Sequence, residues 1–182
     1  MRGIALVGML ACAGALAVAA GPKDARAAET HSNCATFDNQ GNILSVTPSC
    51  TETIQSDGGP PQSMPAIDPC TGDTGTLTIL TRRSMFHVTV NGAGDVWVTG
   101  SQNGTVTFTP DNPSAPSGSG PWASWFGGSQ NNRSSVMHDT FHAEIQLTNG
   151  QKVSVHMVDH VTINGTGTVT SQFSKGGAPT CG

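Results

Sequence analysis

From Gly72 to the end of the chain, short stretches alternate β-branched or aromatic residues with polar ones, and Gly, Asn or Asp separates each stretch from the next. This period of two and this punctuation are typical of antiparallel strands joined by hairpins. The candidate strands are residues 76–82, 85–91, 95–100, 105–110, 121–126, 135–148, 152–164 and 166–174. The pattern predicts an all-β fold, an eight-strand antiparallel meander. A small barrel is preferred over a sandwich because closure removes exposed strand edges.

The residues before this region divide into two segments. Residues 1–27 begin with Arg2, continue with an apolar stretch over residues 4–20 and end in the small-residue site Ala25-Arg26-Ala27, which predicts a cleaved secretory signal peptide. The alternative is a membrane anchor, but the stretch is short for a span. Residues 28–71 are rich in Gly and Pro and lack apolar periodicity, which indicates an irregular leader. We therefore expect a secreted protein whose single domain covers residues 72–182.

The cysteine count supports an exported, disulfide-stabilised chain. Removal of the signal takes Cys12 with it and leaves four cysteines, an even number, which predicts two disulfides. Four cysteines allow three pairings. The preferred one joins Cys34 to Cys50 across a local loop and Cys70 to Cys181 at the end of the domain. A zinc site is the competing interpretation, but the sequence has no CxxC pair.

The first hairpins of the meander have a predicted register. Aliphatic residues gather on one face if Val90 lies opposite Val96. The other face then has His87 opposite Thr99 and Thr89 opposite Trp97. The next hairpin continues this face if the chain turns at residues 101–103 and Val98 faces Val106. One face of the sheet would then be aliphatic, and the other would carry Thr, His and Trp.

The last long hairpin has two possible registers. A two-residue Asn-Gly turn would set Leu147 against Lys152 and mix the apolar and polar faces. A three-residue loop with Gly150 in the left-handed conformation sets Leu147 opposite Gln151 instead, and Phe141 opposite Met157. The second register is predicted because it gathers the apolar residues on one face.

That register makes two cross-strand histidine pairs on the polar face, His142 with His156 and His138 with His160. Opposed cross-strand residues have Cβ atoms about 4.5 to 5.5 Å apart, close enough for two imidazoles to share a zinc or copper ion. His87 is a candidate third ligand. The two pairs lie about 13 Å apart along the strand, so they cannot form one four-histidine centre. The alternative is that all five are solvated histidines on a polar sheet face.

Enzymatic activity has weaker support. The same register sets Asp139 opposite Asp159, and two close carboxylates are an arrangement used for general acid and base work, or for binding a cation at a rim. The sequence has no GxSxG, HExxH, GxxxxGK or GxGxxG motif. Whether the protein is an enzyme stays open, and a non-enzymatic role is favoured.

Trp122 and Trp125 are the candidate ligand-binding residues, because exposed indoles line pockets for sugars or apolar molecules; the alternative is that they close one end of the core. Nucleic acid is not an expected partner, since the net charge is -4 and the longest basic run is Arg82-Arg83. The leading hypothesis is a secreted binding or surface-interaction protein for a small apolar or carbohydrate ligand, without a cofactor. The alternative is a zinc or copper protein with possible hydrolytic or redox activity. The oligomeric state is not indicated.

Several stretches also resemble a group of small secreted bacterial proteins of unknown function. They are CTGDTGTLTIL, FHVTVNGAGDVWVTG, GTVTFTPD, WFGG, HDTFH, HMVDH and the closing CG, spread over the last 110 residues or so. The resemblance implies secretion and a mostly β fold. It implies no activity, substrate or catalytic residue.

Overall fold

The computed structural model describes residues 32–37, 43–131 and 133–182, and this part of the chain is all β, without a helix. The signal peptide predicted over residues 1–27 lies outside the described residues. In the described part, no helix is long and apolar enough to cross a membrane. The strands are β1 (Ala35–Phe37), β2 (Ile43–Val46), β3 (Cys50–Ser56), β4 (Gln62–Ile67), β5 (Thr74–Val90), β6 (Val96–Pro110), β7 (Gly118–Gln130), β8 (Ser134–Leu147), β9 (Lys152–Asn164), β10 (Val169–Gly176) and β11 (Thr180–Cys181).

Nine of these strands form one antiparallel sheet, and β1 and β2 form a separate pair. The central order is β9-β8-β7-β6-β5, a meander. At one edge β3 and β4 pair with different halves of β5, and at the other edge β10 and β11 pair with different halves of β9. The all-β antiparallel meander is confirmed, but the preferred barrel is not found, because the described edge strands do not pair with each other. Each edge is instead made of short strands, which limits the exposed backbone that a closed barrel would remove.

The central strands are longer than predicted. The candidate strands 76–82 and 85–91 are one strand, β5, of 17 residues. The candidates 95–100 and 105–110 are likewise one strand, β6, so the predicted turn at residues 101–103 was wrong. Val106 lies opposite Ile79 and not opposite Val98.

A bulge in β5 explains this difference. Thr81 pairs with Gly104 and Arg83 pairs with the adjacent Asn103, so Arg82 is an extra residue without a partner. An inserted residue shifts the alternation by one position. Apolar residues therefore change from odd to even numbers within β5 while they stay on the same face, and no turn is needed.

Two strands of the sheet come from the region predicted to be an irregular leader. Cys50 pairs with Val90 at one end of β3, and Met64 in β4 pairs with Leu77. β3 has only two apolar residues, Cys50 and Ile54. β4 contains Pro65, which an edge strand tolerates because a proline there removes no hydrogen bond from the sheet. Polar and apolar residues alternate only weakly in these segments, so the sequence did not predict them as strands.

The predicted register of the last long hairpin is confirmed. Phe141 lies opposite Met157 across β8 and β9. In the connecting loop, the Leu147 N–H donates to the Gln151 carbonyl oxygen at 2.8 Å. Gly150 has a φ of 89°, the left-handed conformation that the three-residue loop requires. The Val90–Val96 and His87–Thr99 pairings of the first hairpin are also confirmed.

Two apolar clusters and two disulfides hold the sheet. The larger cluster lies at one end of the sheet and the smaller at the other, where it includes Cys34. The predicted pairings Cys34–Cys50 and Cys70–Cys181 are both confirmed. The buried residues of the larger cluster are Ala66, Leu77, Val106, Phe108, Trp122 and Ala143. Those of the smaller cluster are Cys34, Val88, Val90 and Val96.

A carboxylate in β3 holds the first described residues against the sheet. Glu52 accepts hydrogen bonds from the Ser32 hydroxyl at 2.9 Å and from the Asn33 backbone N–H at 2.7 Å. These hydrogen bonds hold the pKa of the Glu52 carboxyl below its ordinary value of 4.5, and the bond from Ser32 has the largest effect. Because the pKa is depressed by folding, the anchor is complete above pH 4.5 and is lost as the pH falls through the folded value.

Candidate functional site

The register divides the sheet into two faces of different chemistry, because opposed residues share a face and neighbours along a strand alternate. The face that carries both apolar clusters is called the core face here. The opposite face, called the open face, carries mainly Thr, Ser and His side chains. Its residues on the central strands include Thr76, Thr78, His87, Trp97, Thr99, Thr105, Thr107, Trp125, His138, Thr140, His142, His156 and His160. The open face is therefore the place to look for a site.

All five predicted metal-ligand candidates lie on the open face, and both cross-strand pairs have the predicted register. His142 lies opposite His156, and their ring centroids are 6.3 Å apart with the planes at 57°. His138 lies opposite His160.

Three of the five histidines, His87, His138 and His160, contact other residues. His87 shares hydrogen bonds with Thr53 Oγ1 at 3.0 Å and with Thr89 Oγ1 at 3.4 Å. His160 stacks on Phe173 with ring centroids 5.3 Å apart, and its Nε2 shares a hydrogen bond with Thr162 Oγ1 at 3.1 Å. Thr53 lies on β3 and Phe173 on β10, at opposite edges of the sheet, so His87 and His160 are held far from each other.

His138 is occupied in a different way. Its ring lies over Gly127, so closely that a Cβ added at that glycine would collide with the ring. In the described part of the chain, no three His, Cys, Asp or Glu side chains come together closely enough to hold one metal ion. The predicted candidates therefore share a face, but only His142 and His156 face each other as a pair of rings.

The two candidate tryptophans lie on opposite faces of β7. Trp122 is 7% exposed, belongs to the larger apolar cluster and stacks on Phe141. Its Nε1 donates to the Leu80 carbonyl oxygen at 3.3 Å. Trp125 is 54% exposed on the open face, where Thr140 is its neighbour on β8. Of the two side chains, Trp125 is the one that a ligand in solution reaches.

A second exposed tryptophan, Trp97, was not selected from the sequence. It is 43% exposed and pairs with Thr89 on β5 and with Ser129 on β7, which places it on the open face. The alternation within β6 was a sufficient signal, since the predicted register already set Trp97 opposite Thr89 on the polar face. The open face therefore carries two accessible indoles among hydroxyl-bearing side chains.

The two aspartates lie on the core face. Asp139 and Asp159 are opposite each other and half-buried, and the Ser124 hydroxyl donates to Asp139 Oδ1 at 2.9 Å. They stand on the other side of the sheet from every histidine discussed above. Neither aspartate therefore lies beside the imidazole of any of these histidines.

A small cavity lies between the two edges of the sheet, near the Cys70–Cys181 disulfide. Its volume is about 30 Å³, and its lining comes from both edges of the sheet, with Ile67 and Asp68 on one side and Val153 and Pro179 on the other. Asp68 is 3% exposed, and its Oδ1 accepts the Cys70 N–H at 2.8 Å. Ligand pockets for small molecules are typically about 300 to 1,000 Å³. The cavity is therefore too small for a sugar.

Comparison with known proteins adds no relative. No family model, no curated protein and no solved structure matches this chain. The resemblance to small secreted bacterial proteins stays a prediction, and function has to be argued from the two faces themselves.

Proposed function

We propose that the protein is a secreted binding protein that holds a carbohydrate chain against the open face at Trp125. The observation that carries the proposal is the 54% exposure of the Trp125 side chain on a face of hydroxyl-bearing residues. The predicted signal peptide and the two disulfides support an extracellular location. No chemical step is part of this function.

The chemistry of the surroundings favours a sugar over a purely apolar ligand. An indole ring offers a broad apolar surface that stacks on the C–H face of a sugar ring, and its N–H is a hydrogen-bond donor. Ser101 pairs with Trp125 on one side and Thr140 on the other, so hydroxyl groups flank the indole on both neighbouring strands. Hydroxyl groups donate and accept hydrogen bonds, as the hydroxyls of a sugar do.

The second exposed tryptophan indicates the size of the ligand. Trp97 lies opposite Ser129, which is four residues from Trp125 along β7. Four residues of a strand span about 13 Å. Two indoles at this separation fit an extended chain of several sugar units better than a single monosaccharide. Thr99 and Gly127 lie between them, and the His138 imidazole lies over Gly127, so a chain that reaches both indoles would pass over this ring.

The small size of the cavity beside Ile67 and Val153 also supports a ligand on the open face. A volume of about 30 Å³ is too small for a sugar or for an apolar molecule of similar size. The proposal therefore differs from a ligand held in the mouth of a barrel, and Trp125 acts from the open surface.

The test is co-sedimentation of the protein with insoluble polysaccharides, followed by calorimetry with soluble oligosaccharides of those that bind. Trp125→Ala is expected to weaken binding by at least about tenfold, because a central aromatic anchor typically contributes 1.4 kcal/mol or more. Trp97→Ala is expected to weaken binding to long chains more than to short ones. Phe173→Ala is the matched control, since Phe173 is 51% exposed on the same face but lies on the edge strand β10.

Two results would contradict the proposal. One is the absence of binding to every polysaccharide and oligosaccharide in a broad panel. The other is binding that Trp125→Ala leaves unchanged while Phe173→Ala weakens it. Trp122→Ala is not a useful variant here, because removal of a buried indole is expected to cost about 3 to 5 kcal/mol of stability.

A further inference from the structure

One pair of histidines on the open face is free to bind a ligand from solution. His142 and His156 are both exposed, directly opposed on β8 and β9, and their ring centroids are 6.3 Å apart. Among the described residues, neither imidazole makes a hydrogen bond, and each ring has its ring contact with the other. This separates them from His87 and His160, whose ring nitrogens share hydrogen bonds with threonine hydroxyls.

We propose that His142 and His156 together bind one divalent transition-metal ion, zinc or copper. Imidazole nitrogen is a preferred ligand of both ions. A zinc ion lies about 2.0 to 2.1 Å from a ligating nitrogen, so two rings at this separation leave space for one ion between them after small side-chain rotations. Water molecules complete the coordination, because both rings face solvent. The site is independent of the carbohydrate proposal.

Charged side chains of both signs lie near the pair, and one of them is Lys175, which pairs with Val158 two residues from His156 on the same face. Glu144 is two residues from His142 along β8 and on the same face, about 7 Å away along the strand. Its carboxylate forms an ion pair with Lys152 Nζ at 2.7 Å, and both side chains are well exposed. Exposed ion pairs contribute little stability, so Glu144 is able to turn toward a bound cation. Asp139 and Asp159 are on the core face and do not face the pair.

The same hairpin contains a matched control. His138 and His160 form the second cross-strand pair in the same register. One of them lies over Gly127 and the other stacks on Phe173, so their rings are not free to converge. A site that depended only on two histidines at opposed positions would form at both pairs. The proposal requires that it form at His142 and His156 alone.

The experiment is a calorimetric titration of zinc chloride, and separately copper chloride, into the full chain without a polyhistidine tag and with both disulfides formed. It is carried out at about pH 7.5, where free imidazole is mostly neutral. The wild-type chain is expected to bind one ion. His142→Ala and His156→Ala are each expected to weaken binding by at least about tenfold, as loss of a direct ligand exceeds the typical effect of losing an outer partner. The double variant His138→Ala/His160→Ala is expected to bind within about twofold of wild type.

A second measurement identifies the ligands directly. In NMR spectra of the imidazole nitrogens, added zinc is expected to shift the signals of His142 and His156 and to leave those of His87 in place. Circular dichroism of each variant establishes that the fold is kept. The proposal is overturned if the wild-type chain binds no zinc or copper, if the His142→Ala/His156→Ala chain binds with unchanged affinity, or if the shifts occur at His138 and His160.

Discussion

At the scale of single residues, a glycine in β6 makes room for the buried indole. Gly104 lies opposite Trp122, and a Cβ at this glycine would lie 2.8 Å from Trp122 Nε1 and would collide with the Leu80 carbonyl oxygen. The same indole donates its hydrogen bond to that carbonyl. The absence of a side chain at Gly104 therefore allows the indole to approach the neighbouring strands closely and to satisfy its only polar group.

Gly104→Ala is expected to reduce the free energy of unfolding by about 1 to 3 kcal/mol, the usual cost of inserting a methyl group into a packed site. Urea denaturation of the oxidised protein measures the change. Gly59→Ala is the control: nothing lies within 4 Å of a Cβ at Gly59, and a change within about 0.5 kcal/mol is expected there. An equal loss of stability in the two variants would contradict this account of Gly104.

At the scale of strands and hairpins, the sequence predicted the register correctly where a local residue pattern determines it. The β8–β9 hairpin was predicted in its correct register because Gly150 and the apolar alternation require the same loop. The continuity of β5 was missed because the bulge at Arg82 reverses the alternation, and a reversal looks like a turn in the sequence. The strand β3 was missed because only Cys50 and Ile54 mark its core face.

The candidate site, too, could be predicted only where it follows from a single hairpin. The histidine pairs follow from one hairpin and were predicted, but the contacts that occupy His87 and His160 come from Thr53 on β3 and Phe173 on β10. β3 was not predicted as a strand, and the strand predicted over residues 166–174, which is β10, had no predicted register, so neither contact could be derived from the sequence. The opposite orientation of Trp122 and Trp125 was available, because residues three apart in a strand point to opposite faces.

Deletion of Arg82 tests the bulge. Without this residue, strict alternation along β5 would move either Leu77 and Ile79 or Phe86 and Val88 away from the core face. We expect a loss of more than about 3 kcal/mol of stability, since several core side chains lose their contacts at once. Arg82→Ala keeps the backbone count and is expected to change stability by less than about 0.5 kcal/mol. If the deletion melts at the wild-type temperature, the bulge does not set the two halves of β5.

At the scale of the whole molecule, one disulfide joins the two edges of the open sheet. Cys70 follows β4, which pairs with β5, and Cys181 belongs to β11, which pairs with β9. The described edges share no strand pairing. This disulfide and the apolar contacts around the small cavity therefore hold the two edges together. The disulfide spans 111 residues, against 16 for Cys34–Cys50.

The two disulfides are therefore expected to differ in their effect on stability. In the chain-entropy model, closing a loop of about 100 residues contributes about 4.7 kcal/mol and a loop of about 15 residues about 3 kcal/mol. Cys70→Ser/Cys181→Ser should lower the free energy of unfolding more than Cys34→Ser/Cys50→Ser, as measured by urea denaturation of the two variants. A larger loss from the shorter loop would show that native contacts around Cys34 outweigh the entropy of the unfolded chain.

The Cys70–Cys181 bond also makes the sheet from β5 to β11 part of one covalent ring. A protease that nicks the backbone once anywhere between these cysteines, for example in the segment 111–117 between β6 and β7, leaves the two fragments attached to each other. A nicked molecule would keep its mass on a non-reducing gel, apart from the water added, and would separate into fragments only after reduction. Outside a cell, where proteases are common and disulfides persist, one cut would not release either half of the open face.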